Sequence, residues 1–104
     1  MVRFLIQTKN GKDYKIIFSK QATKDKKKLK NAGLDKKAIE ILVLMSKDPF
    51  VYPPPYEKLV GDYKGLYSRR INRQHIIVYK VNESKKEIYI IRMWTHYENV
   101  PVYY

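Results

Sequence analysis

The chain has 104 residues, 44% of them hydrophobic, no cysteine, and 22 lysines and arginines against 10 acidic residues, for a net charge of +12. That length suits one domain with a modest core, and that hydrophobic share argues against wholesale disorder. Disulfides and thiolate metal sites are excluded, and so is a membrane-spanning helix, because the longest apolar run, 41–45, is far short of the roughly 20 residues required.

The charge predicts an anionic partner: nucleic acid, an acidic protein or a membrane surface. The first residues hold one arginine and a brief Phe4-Leu5-Ile6 with no small-residue cleavage site, so no signal peptide is read there. The lack of cysteine fits a cytosolic setting. With two histidines in the whole chain, a histidine-rich metal site is not expected.

Residues 1–13 read two ways. Residues 2–7 form a strand and Asn10-Gly11 the turn of a hairpin, or the whole segment is a flexible basic arm. Residues 14–18, Tyr-Lys-Ile-Ile-Phe, form a strand. Ser19 stands where a helix N-cap belongs. The helix runs over 20–32, with Gly33 as a left-handed stop and lysines in the last turns, where the dipole favours cations. Its apolar stripe is thin: Ala22, Leu29 and Ala32. Its outer face carries Lys24, Lys26, Lys27, Lys28 and Lys30, a run that reads first as a solvated face.

Asp35 caps a second helix that passes through Ala38 and Met45 and ends near 46–48. Ile39, Leu42 and Val43 follow the spacing of a core-facing stripe. The short loop between the helices predicts an antiparallel hairpin. Pro49 and the prolines at 53–55 end the helix and stiffen an extended connector. Glu57 follows the connector and Leu59 anchors it.

Three strands close the chain, over 65–72, 75–82 and 87–96. The first two hold Arg69, Arg70, Arg73 and His75 inside the most strand-like part of the sequence. A core strand needs no such charge; a surface that holds phosphate does. The last strand is apolar on both parities, as a central strand is. The order of strand, two helices and three strands predicts a sheet with a helical hairpin on one face and the other face free.

That free face offers a particular set of groups. Arg92, Trp94 and His96 share a parity in the last strand. Arg69 and Arg70 alternate, so one of them faces the same way. Glu57 arrives from the connector. A carboxylate, a histidine, arginines and the aromatics Trp94, Tyr97 and Tyr67 are what RNA cleavage without a metal requires. A base takes the ribose 2′-OH proton, the freed oxygen attacks phosphorus, a cation stabilises the charge on the phosphate, and an acid protonates the departing 5′-oxygen. Aromatics stack on splayed bases. Each residue also has a plainer reading: His96 and Glu57 as surface groups, Trp94 and Tyr97 as packing, and the 10 tyrosines as sheet core. Composition and spacing alone stop at a basic α/β domain that binds nucleic acid.

The combination Glu57-Lys58-Leu59, residues 65–72 (Gly-Leu-Tyr-Ser-Arg-Arg-Ile-Asn), His75, Val78-Tyr79 and Thr95-His96-Tyr97 resembles the YoeB/Txe family of toxins in the RelE-like superfamily. Residues 14–22 resemble the usual family start, and the resemblance covers about 14–98. It implies a single α+β domain over 1–104, with 1–13 as an N-terminal extension. In it a helical hairpin packs on a twisted, mostly antiparallel four-stranded sheet, with an extra N-terminal strand left open.

The resemblance further implies a ribosome-dependent mRNA endoribonuclease that inhibits translation, with no metal or cofactor. Glu57 matches the general base, His96 the general acid, Tyr97 a substrate-positioning tyrosine and Arg70 a residue lining the phosphate site. Arg69, Arg73, Lys58, Lys64 and Trp94 are the RNA-binding candidates around them. The implied partners are the 70S ribosome, mRNA and an acidic YefM/Axe-like antitoxin; a homodimer is left open, no membrane is involved, and the location is cytoplasmic.

One departure stands out. The family commonly places a phosphate-binding arginine directly after the histidine of the second of these strands, and here that position is Ile76. Arg70 is the first substitute, Arg73 the second, ahead of Arg69 and Arg92. Loss of such a cation without a substitute slows cleavage by about 10²–10³. Two alternatives follow from other features. Ile76 points to a non-cleaving inhibitor that occupies the ribosome, and the lysine-rich helix to a protein built for an acidic protein partner.

Overall fold

The computed structural model describes residues 2–3 and 13–96. Its helices start and stop where local chemistry dictates. Ser19 Oγ accepts the Ala22 N–H at 3.0 Å and opens α1 (Lys20–Asn31). At the other end the Gly33 N–H reaches the Lys30 carbonyl at 3.1 Å and the Leu34 N–H the Leu29 carbonyl at 2.8 Å. This paired ending needs one left-handed residue, and Gly33 supplies it at φ +74° without a Cβ penalty. The turn is tight, and α2 (Asp35–Lys47) begins at once. Asp35 was expected to be its cap. The cap is Leu34, whose side chain makes no capping bond; Asp35 is the first helical residue, where its charge suits the dipole.

The hairpin buries a narrow stripe. In α1 it is Ala22, Asp25 and Leu29; in α2 it is Ala38, Ile41, Leu42, Met45 and Ser46. Ile39, expected to face the core, is 53% exposed, because the inward stripe runs through Ala38, Ile41, Leu42 and Met45 and leaves position 39 off it. Ala32 likewise faces solvent. Lys26, one of the helix-face lysines, lies half buried with Nζ 4.5 Å from the centre of the Phe18 ring, and burial lowers its pKa.

Six strands form one sheet: β1 (Val2–Arg3), β2 (Lys15–Phe18), β3 (Tyr56–Lys58), β4 (Tyr67–Arg70), β5 (His75–Asn82) and β6 (Glu87–His96). Their spatial order is β1-β2-β6-β5-β4-β3. β2 and β6 are parallel and every other neighbouring pair is antiparallel. The α+β architecture is thus the expected one, with the helical hairpin on a mostly antiparallel sheet. β1 pairs Val2 with Phe18 and Arg3 with Ile17, which gives the N-terminal extension a strand; the Asn10-Gly11 turn lies outside the described residues. β3 is an addition, because three residues after a proline run are too few to show a period. A single 3₁₀ turn, Gly61–Tyr63, follows it.

Alternation along β5 divides the sheet's two faces. Ile77 and Tyr79 join Ile16, Leu29, Leu42, Ile88 and Ile90 in the main core under the helices. Ile76 and Val78 join Leu59 in a second, smaller cluster, flanked by Leu66 and Ile91. Cross-strand partners share a face, so the register carries this division outward to β4 and β3.

Candidate functional site

Glu57 of β3 stands opposite Ser68 of β4, which stands opposite Val78 of β5. Arg70 stands opposite Ile76, and Ile76 opposite Thr95. These two rows, with Glu57 on β3 and Arg70 on β4, lie on the face of the smaller cluster. One row further along, His75 stands opposite His96, the last residue of β6. The structure therefore puts Glu57 and Arg70 on one face, whereas His75 falls by alternation with Ile77 and Tyr79 on the other; β6 ends at His96 one row beyond Arg70, and the pairing does not set it on the face of Glu57. Tyr97 lies outside the described residues.

Arg70 is exposed and donates from Nη1 to the Arg73 carbonyl at 3.1 Å. The turn that carries Arg73 is built by Asn72, whose Oδ1 accepts the N–H groups of Gln74 at 2.9 Å and His75 at 2.8 Å. Both cations thus sit at one end of the β4–β5 pair, Arg70 as the last residue of β4 and Arg73 on the turn. Lys58 and Lys64 are exposed and come together elsewhere, around a cavity of about 580 Å³ at the sheet edge with Leu59, Val60 and Leu66.

Arg69 corrects the expectation. It is 1% exposed, so it is not an RNA-binding residue on the surface. Its partners in the register, Tyr56 and Ile77, point it toward the helix side. There Nη2 donates to the Pro49 carbonyl at 3.0 Å and the Val51 carbonyl at 2.8 Å, and Nη1 donates to the Pro54 carbonyl. The Tyr79 hydroxyl also donates to Pro49, at 3.0 Å. Burial pushes the Tyr79 phenol up to about 12, so it stays a donor at any working pH. Arg69 Nε is buried and meets no acceptor among the described residues. Arg69 therefore ties the proline-rich connector to the sheet just ahead of Glu57.

Two further candidates are engaged elsewhere. Trp94 is half buried; its ring stacks on His75 at 4.0 Å between centroids and packs against the main core, so that face is closed to a base. Arg92 stands opposite Val78, yet its Nε donates at 3.1 Å to Asp25 Oδ2 on α1. The shared parity expected for Arg92, Trp94 and His96 fails because β6 is irregular between them. Position 76, where the resemblance implied an arginine, holds an isoleucine that is 0% exposed within the apolar cluster.

Sequence reasoning missed Asp25. It is 0% exposed and accepts the Met93 N–H at 2.9 Å, Arg92 Nε at 3.1 Å and Gln21 Nε2 at 3.2 Å. Burial alone raises its pKa, but those three donors outweigh burial and hold it below the ordinary value. The only sequence signal is one acid on the inward side of a lysine-rich helix.

The family model for the YoeB-like toxin of bacterial type II toxin–antitoxin systems matches residues 12–97. The chain belongs to that family. No curated protein sequence matches it. Among solved structures, the YoeB–YefM complex from Staphylococcus aureus is 34% identical at a TM-score of 0.69, covering 81% of this chain and 98% of the other. A YoeB dimer from the same organism is 33% identical at 0.70, covering 82% and 99%. The archaeal RelE–RelB complex from Pyrococcus horikoshii, 24% identical at 0.65 over 80% and 94%, shows the shared fold. This YoeB-like toxin thus has a RelE-like sheet and hairpin. Among its described residues, no helix is long and apolar enough to cross a membrane.

Proposed function

We propose that this YoeB-like toxin is a ribosome-dependent endoribonuclease that cuts mRNA by attack of the 2′-OH on the adjacent phosphate. The observation that supports the reading is the placement of Glu57 and Arg70 on the same face of the sheet, with β6 ending at His96 one row beyond Arg70.

Glu57 takes the 2′-OH proton, Arg70 meets the charge that grows on the phosphate, and His96 protonates the leaving 5′-oxygen. Tyr97 orients the substrate. Arg73, Lys58 and Lys64 guide the RNA backbone by charge. The net charge of +12 suits ribosomal RNA in the cytoplasm and equally an acidic antitoxin. Solved relatives in complex with YefM and as a YoeB dimer support an antitoxin partner of the YefM kind and a second copy as binding partners.

Mapping of mRNA ends on programmed ribosomes tests this. Discrete cuts with the wild-type protein and none with His96→Ala are expected; identical maps for the two overturn the assignment. A second reading, inhibition by occupancy alone, is favoured by the buried Ile76 in place of an arginine. Blocked translation with intact mRNA would choose it.

A further inference from the structure

The pairing of β5 with β6 changes register twice. From Asn82–Glu87 to Tyr79–Ile90 the ladder is regular; then Val78 meets Arg92, and Ile76 meets Thr95. Between those regular ends β6 runs through residues 91–94 while β5 runs through 77–78, so β6 carries two extra residues. Each is a β-bulge, and each takes a backbone group out of the ladder. Such a group must find another partner inside the protein.

The partners come from side chains. Ser19 Oγ donates to the Ile91 carbonyl at 2.8 Å. Asp25 Oδ2 accepts the Met93 N–H at 2.9 Å. His75 Nδ1 lies 3.2 Å from the Trp94 carbonyl, which requires the proton on that nitrogen. Two of the three are on or next to α1, so the helix acts as a clamp on the bulged segment. Asp25 also draws in Arg92 Nε, which neutralises an otherwise buried charge.

The bulges decide what stands at the end of the sheet. In an unbroken ladder Trp94 would face His75 and His96 would lie two residues beyond it, about 7 Å further along. The bulges set His96 itself opposite His75. We propose that Asp25 is a positioning residue for His96: by taking the Met93 N–H that the double bulge releases, it holds β6 in the register that sets His96 opposite His75. The importance of that register for cleavage rests on the proposed function; the register itself does not.

Two NMR readouts test the clamp without reference to activity: cross-strand backbone contacts between His75 and His96, and hydrogen exchange at the Met93 amide. In Asp25→Ala the His75–His96 contacts are expected to give way to His75–Trp94 contacts, with Met93 exchange faster by about tenfold or more. Turnover of ribosomal mRNA should fall by at least the same factor while ribosome affinity stays within twofold, a split that general loosening would not produce. Retention of both NMR signals overturns the proposal. Should the alanine variant not fold, Asp25→Asn carries the test. It keeps the size but removes the charge that strengthens the bond, so Met93 exchange rises by about tenfold; unchanged exchange overturns the proposal equally. A wild-type protein that cuts no mRNA removes the functional reading, and Met93 exchange still decides the clamp.

Discussion

Adjacent arginines with opposite fates show how much a single residue's role depends on register. In sequence Arg69 and Arg70 are interchangeable, and strand alternation says only that they point apart. The pairing of Arg69 with Tyr56 and Ile77 turns it inward onto three connector carbonyls, while the pairing of Arg70 with Ile76 leaves it exposed on the side of Glu57. Their variants should separate cleanly. Arg69→Met strands those carbonyls and is expected to cost about 3 kcal/mol, read as a lowered Tm in thermal unfolding. Arg70→Ala is expected to change stability by less than about 0.5 kcal/mol and to slow cleavage by about 10²–10³. The reverse pattern would return Arg69 to the RNA surface. Ile76 belongs at this scale too. An arginine there would place its charge in the Leu59–Val78 cluster, where an unpaired buried charge costs about 3 kcal/mol or more. Ile76→Arg is therefore expected to lower the denaturation midpoint; an unchanged midpoint with faster cleavage would show that the side chain reaches the phosphate after all.

Elements built on short-range chemistry were legible in the sequence, and those built on long-range pairing were not. Ser19, Gly33 and Pro49 each mark a helix boundary through a bond or a φ that the residue itself dictates, so α1, α2 and their hairpin follow from the letters. β5 and β6 also follow, being long runs of β-branched and aromatic residues. β3 does not, because it becomes a strand only by pairing with β4. The bulges of β6 do not, because their partners, Ser19 and Asp25, lie more than 65 residues away in the chain. The candidate site divides along the same line: its residue types were readable, and their sorting into surface and interior was not. The α1–β6 link also gives the fold a pH dependence. The Asp25 carboxylate has a lowered pKa in the folded protein, so its contribution is complete above the ordinary value of about 3.9 and is lost as pH falls through the folded value. Stability measured by denaturant unfolding should drop on acidification below pH 4, and less steeply in Asp25→Asn. Equal slopes for the two proteins would mean that Asp25 titrates alike in the folded and unfolded chains.

At the scale of the whole molecule, the helices occupy one side of the sheet, and Glu57 and Arg70 face away from their core. The net charge of +12 suits RNA or an acidic partner, and the proposed cleavage needs the three strands β3, β4 and β6 held in one arrangement. Each is tied down near the site by a different device: β3 through the connector held by Arg69, β4 through the Asn72 turn, and β6 through Asp25. The central claim is that this arrangement cuts RNA by internal attack of the 2′-OH. The most direct measurement is the chemistry of the ends left on ribosome-bound mRNA by the wild-type protein and by Glu57→Gln and His96→Ala. The account requires a 2′,3′-cyclic phosphate on one side of the cut and a free 5′-hydroxyl on the other, with the rate falling by about 10² or more in each variant. A 5′-phosphate at the cut, or cleavage that survives both substitutions, would contradict it.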